Sequence, residues 1–190
     1  MVDRRNASQT DSQLLTDTKN LKFDLLRQAF YHSDELAFYL LIERLTKFLS
    51  AMAGTAVVGA AMLQHQAFAV VFGFIITALQ MADIVMGIGS KAVLHENKRE
   101  RYFSLLADLE STTVSQDLIL KVKGQMTREW EKEPVIFWGV DAVAYNSAVL
   151  SMTSNVKTSD LIRINWYEKL LRHLYRFDPD RFRRREYQSM

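Results

Sequence analysis

The chain of 190 residues has no cysteine, which excludes disulfide staples, thiolate catalysis and cysteine-ligated zinc. That composition suits a cytosol-facing protein. Its four histidines, His32, His65, His95 and His173, are scattered, and no two show the i, i+4 spacing of a helical metal site. No metal and no cofactor is therefore expected. Strand-like alternation, internal repeats and low-complexity tracts are also missing, so the fold class is read as all-α. Gly87-Ile88-Gly89 lacks the third glycine of a dinucleotide loop and follows a helical pattern instead of a strand. Ser, His and Asp occur without a nucleophile-elbow context, and the chain is read as a non-enzyme. Met1 to Asn20 is polar and has no apolar centre, so no secretory leader is expected.

Charge is scarcest in the middle of the chain. Phe48 to Leu63 and Ala67 to Ile88 are two apolar, proline-free arms around one polar turn, Gln64-His65-Gln66. At about 1.5 Å rise per residue the second arm crosses a hydrocarbon core of about 30 Å. The first arm reaches that span if Leu45 and Thr46 are counted and Lys47 extends its ammonium to the headgroups. The arms read as a membrane hairpin, since the second is apolar on all sides. The competing reading is a hairpin buried in a soluble helical bundle. Arg44 and Lys47 precede the hairpin and Lys91, Lys98, Arg99 and Arg101 follow it, whereas the turn carries no cation. The positive-inside rule then places both termini in the cytoplasm, with His65 on the other side of the membrane.

Within a hairpin, residues equidistant from the turn lie at equal depth. Ser50 then matches Gln80, and Lys47 matches Asp83. The first reading of Lys47 and Asp83 is an ion pair at the cytoplasmic mouth. The sharper one places Ser50, Thr77, Gln80 and Asp83 along an ion pathway, because polar groups at membrane depth face a bundle interior or water. Small residues at Ser50, Gly54, Ala56, Gly59, Ala60 and Gly73 allow close helix approach, within one hairpin or between copies.

The flanks are polar and helical in period. Residues 1–16 are read as a mobile head, and Thr16 or Asp17 as the cap of a helix through Leu21, Leu25, Ala29, Leu36 and Leu40 that enters the first arm without a breaker. The second arm continues past Gly87 and Gly89 to Leu109. A helix from Ser115 to Lys132 follows, ended by Pro134. Another runs from Val135 to Met152, and a last one is capped at Thr158 or Ser159 and stopped at Asp178-Pro179-Asp180. Residues 17–177 thus form a single domain of about five helices, comprising a membrane hairpin at about 45–90 and cytoplasmic helices on either side. Residues 178–190 form a basic tail. The formal net charge of +2 is too small for a nucleic-acid coat, and the positive excess is concentrated between Arg172 and Glu186.

The order of these pieces resembles a known family. An amphipathic helix and a tight two-helix hairpin lead to a His-bearing basic helix reading SKAVLHENKRERYFSLLADLE, then to WEKEPVIFWGVDAVAYNSAV and an aromatic-basic end. The chain is similar in this to the SLATT superfamily, two-transmembrane effector domains associated with SMODS nucleotidyltransferases and SLOG proteins in bacterial defence. The resemblance spans about Leu21 to Phe177. Its most specific parts are Glu133-Pro134, the run from Asp141 to Asn146, and His95 with Arg101. It implies an oligomeric pore-forming membrane effector, triggered by a nucleotide signal or by a separately encoded partner such as a nucleotide synthase or reverse transcriptase.

The residues themselves leave alternatives open. Glu133, Asp141 and Asn146 either cross-link the cytoplasmic helices or, with His95 and Arg101, bind a signal, for which a nucleotide is the candidate ligand. Arg181, Arg183, Arg184 and Arg185 form a basic patch suited to anionic lipid. Interleaved Phe177 and Phe182 would also suit nucleic acid or an acidic partner, although the small net charge of the chain disfavours nucleic acid. For the whole chain the expectation is a membrane effector of antiviral defence that permeabilises the inner membrane. The alternatives are a membrane-tethered scaffold and a soluble helical adaptor.

Overall fold

The computed structural model describes residues 3–63, 65–131, 133 and 136–182, with side chains from residue 12 onward. Six α-helices, one short 3₁₀ turn and a helical turn at 179–182 make up its regular structure, and no strand occurs among the described residues. They are α1 (Asp3–Met62), α2 (Gln66–Met86), α3 (Ile88–Ser111), α4 (Gln116–Trp130), α5 (Trp138–Met152) and α6 (Trp166–Leu171), with the 3₁₀ turn at Thr158–Asp160. The chain divides into two compact units, one of Met1–Asp34 with Glu96–Met190 and one of Glu35–His95.

The first unit is held by a core in which four helices meet. Leu21, Leu25, Leu26 and Ala29 of α1 pack with Tyr102, Leu105, Leu106 and Leu109 of α3. Ile119, Val122 and Met126 of α4 and Ala148 of α5 complete it. On each long helix the buried positions recur at three and four residues, which aligns them on one face and leaves charges opposite. A second cluster joins Ala142, Tyr145, Ile162, Phe177 and Phe182, with Phe23 meeting Tyr145 edge-on at 5.3 Å. Gly139 permits a close approach here, since a Cβ at that position would lie 3.0 Å from the Arg172 Cβ.

The second unit is the hairpin. α1 ends at Met62 and α2 starts at Gln66, so the midpoint falls within one residue of the expected turn. The His65 N–H donates to the Ala60 carbonyl at 2.8 Å, and the His65 carbonyl accepts from Phe68 and Ala69. Gln64 lies outside the described residues. Gly87 separates α2 from α3 in a left-handed conformation, φ +60°, that a glycine adopts at little cost. Two stretches, within Ser12–Met62 and Gln66–Ser111, are long and apolar enough to cross a membrane, and no residue of their most apolar windows is buried. No residue of α2 is buried.

Several boundaries differ from expectation. α1 is already helical from Asp3, and Thr16 does not cap it: its hydroxyl donates back to the Ser12 carbonyl at 2.9 Å. Ser115 does cap α4, accepting from the Leu118 N–H at 3.2 Å. The last long helix is broken. After the 3₁₀ turn the chain passes through Ile162 in a non-helical path, and α6 begins only at Trp166, where the buried Glu168 accepts the Asn165 N–H. Asp178-Pro179-Asp180 starts a helical turn, 179–182, instead of stopping one. The Asp178 side chain accepts the Asp180 N–H at 3.0 Å, and proline's fixed φ suits a first helical position.

Candidate functional site

The sequence-selected polar residues separate into those of the hairpin and those of the helical unit. In the hairpin, Thr77 and Gln80 are exposed, Ser50 is half-buried, and Thr77 donates to the Gly73 carbonyl of its own helix at 2.9 Å. The expected Lys47–Asp83 ion pair is absent. Lys47 pairs with Glu43 at 2.5 Å, because a carboxylate one turn back on the same helix is reached without crossing to the other arm. Asp83 is half-buried, and its Oδ1 is enclosed with no hydrogen-bond partner. A polar oxygen left so in an apolar hairpin costs free energy until something bonds it. His95 also belongs to this unit. It is buried and stacks on Tyr39 at 5.5 Å, while the Lys91 ammonium lies 5.8 Å from the same ring. Burial, then the charge of Glu35, raise the Tyr39 pKa above its ordinary value.

In the helical unit, Glu133 and Asp141 come to the same place. Just past α4 the Glu133 N–H donates to the Trp130 carbonyl at 2.9 Å, turning the chain inward. The Glu133 Oε1 then accepts the Tyr102 hydroxyl at 2.6 Å and lies 3.2 Å from the His32 Nε2. The His32 and Tyr102 rings stack nearly parallel, 5.5 Å apart. Burial, followed by the hydrogen bond to the Glu133 carboxylate, pushes the Tyr102 pKa far above the ordinary tyrosine range. Asp141, in the first turn of α5, receives a bidentate fork from Arg27 of α1, with Nε to Oδ1 at 2.9 Å and Nη2 to Oδ2 at 2.7 Å. The same guanidinium lies 5.3 Å from the centre of the Tyr145 ring. Between these groups is a cavity of about 390 Å³, walled by Asp24, Arg27 and Gln28 of α1, by Trp130 and Glu133, and by Trp138 and Asp141 of α5.

The remaining predicted residues are structural ties. The Asn146 carboxamide clasps the backbone of Ile162, donating to its carbonyl at 2.9 Å and accepting its N–H at 2.7 Å. Arg101 lies 3.9 Å from Glu129, which pairs more closely with Lys98 at 3.3 Å. Arg181 is not part of a free basic patch. Its Nε pairs at 2.6 Å with Glu168, which is wholly buried and needs a counter-charge, and its Nη2 donates to the Tyr167 hydroxyl. Hydrogen bonds from Asn165 and then Arg181 lower the Tyr167 pKa. Pro134, Arg183, Arg184 and Arg185 lie outside the described residues.

No family model matches the chain, and neither does any curated protein or solved structure.

Sequence reasoning missed Arg27, His32, Tyr102 and the Asp34 cluster, in which Arg172 forks onto Asp34 at 2.7 and 2.9 Å with His173 at 3.5 Å. His32 had a signal, because it lies three and seven residues beyond Ala29 and Leu25 on their buried face. Among the described residues no cluster of His, Asp or Glu is suited to a metal ion.

Proposed function

We propose that the chain is an integral membrane effector of bacterial antiviral defence, similar in layout to the SLATT superfamily, whose copies assemble and permeabilise the inner membrane when triggered. The observation that carries this reading is the exposed hairpin. Phe68, Val70, Val71, Phe74, Ile84 and Val85 of α2 are all more than half exposed, as are Phe48, Met52, Val58 and Met62 of α1. Soluble monomers rarely expose apolar patches beyond roughly 300–600 Å². A bilayer is the solvent that such a surface fits. In that setting both termini face the cytoplasm and His65 lies outside, following the distribution of Lys and Arg.

The activity proposed is non-enzymatic leakage by several copies. Two helices in contact enclose no lumen, so a conducting path needs a ring of hairpins with Ser50, Thr77, Gln80 and Asp83 turned inward. The enclosed, unbonded Asp83 oxygen and the open space over Gly54, Gly59 and Gly73 fit a hairpin awaiting neighbours. The trigger is assigned to a separately encoded nucleotide synthase or reverse transcriptase, or to its product. Expression in the activated state is expected to depolarise cells, and Gln80→Leu with Asp83→Leu to weaken the leak while leaving insertion intact. Unchanged membrane potential under activating conditions would favour a membrane-tethered scaffold instead.

A further inference from the structure

The cavity of the helical unit combines three features that together select a ligand class. Its volume of about 390 Å³ lies within the range of small-molecule sites. Two indoles, Trp130 and Trp138, contribute to its wall, and Trp130 is 42% exposed at the rim. Its charged lining residues among those described are Asp24, Glu133 and Asp141 against Arg27 alone, and Arg27 is engaged by both oxygens of Asp141. The described part of the wall is therefore net negative.

Glu133 supplies the specific contact. Its side chain is only 7% exposed, and both of its hydrogen-bonding neighbours, Tyr102 and His32, address the same oxygen, Oε1. Oε2 receives no hydrogen bond from any described residue. A carboxylate oxygen without a protein donor, on a side chain that lines the cavity, is met best by a charged donor. Indole faces beside it attract cations through the ring quadrupole.

We infer that this cavity is a binding site for a small organic cation with N–H donors, an ammonium or guanidinium, which Glu133 Oε2 binds directly while Trp130 and Trp138 flank its body. The same charge balance disfavours phosphate, so the nucleotide considered for Glu133 and Asp141 is not the expected occupant of this cavity. The assignment does not depend on whether the hairpin spans a bilayer.

The test is a fluorescence titration of the purified full-length protein in detergent, using agmatine as the probe and adenosine triphosphate and inorganic phosphate as anionic comparators. Agmatine is expected to change tryptophan emission saturably, and the two anions to leave it unchanged. Trp130→Ala, which leaves the Glu133 hydrogen bonds in place, and Glu133→Gln are each expected to weaken agmatine binding about tenfold or more. Circular dichroism confirms that each variant is folded. Trp130→Ala keeps the proposal testable if Glu133→Gln disturbs the His32–Tyr102 network. No saturable response up to millimolar agmatine, equal binding of the anions, or unaltered affinity in Trp130→Ala would overturn the assignment.

Discussion

At the scale of single residues, the helical unit is fixed by polar side chains that each serve two partners. Asn146 is the clearest case, because Ile162 is buried and its N–H and C=O have the Asn146 amide as their partner. Asn146→Ala leaves both unsatisfied, at about 1–3 kcal/mol each. The expected loss is about 2–4 kcal/mol, read as a lowered denaturation midpoint in detergent, and a loss under 0.5 kcal/mol would contradict this role. Tyr102 ties stability to pH. Its folded pKa is raised, so the folded state keeps a proton that the unfolded chain releases from about pH 10 upward. Its contribution is therefore complete below that pH and declines above it. Tyr102→Phe should flatten the fall in stability between about pH 10 and 11, while costing about 1 kcal/mol near neutrality through the lost bond to Glu133. Glu133, Asp141 and Asn146 were legible in the sequence as polar interruptions of apolar runs. Their pairing with Arg27, His32 and Tyr102 was not, since those partners lie about a hundred or, for Tyr102, 31 residues away in sequence, and a local period marks at most a buried face.

At the scale of elements, the long helices were readable because period and absence of breakers agree: α1 contains no proline, and its only glycines are Gly54 and Gly59. The turn at His65 was readable as the single polar gap between two apolar arms. The C-terminal part was not. Leu161, Ile164, Leu170 and Leu174 fit a helical spacing, yet the Asn146 clasp on Ile162 holds that stretch out of the helix, and tertiary hydrogen bonds override the local period. The hairpin register gives a direct check. Ser50 and Gln80 lie 12 and 14 residues from Met62 and Gln66, both about 20 Å along their helices, whereas Phe68 lies within about 3 Å of the turn. Cysteines at Ser50 and Gln80 should crosslink within one chain and a Ser50/Phe68 pair should not. The reverse pattern would discard the pairing of the arms.

At the scale of the whole molecule, the two units divide the chemistry. The hairpin unit has an unburied helix whose one charged residue, Asp83, has an enclosed carboxylate oxygen; the helical unit has the buried networks and the cavity. This division suits the proposed effector, in which one unit receives a signal and the other acts on the bilayer. The central claim is that the hairpin crosses a membrane with His65 on the far side. Because the chain lacks cysteine, single thiols report on it without background. The measurement is labelling of His65→Cys and Lys91→Cys by a membrane-impermeant maleimide in bacterial spheroplasts, before and after permeabilisation. His65→Cys should label in intact spheroplasts and Lys91→Cys only once they are opened. Protection of both sites until lysis, with the protein recovered in the soluble fraction, would contradict the account.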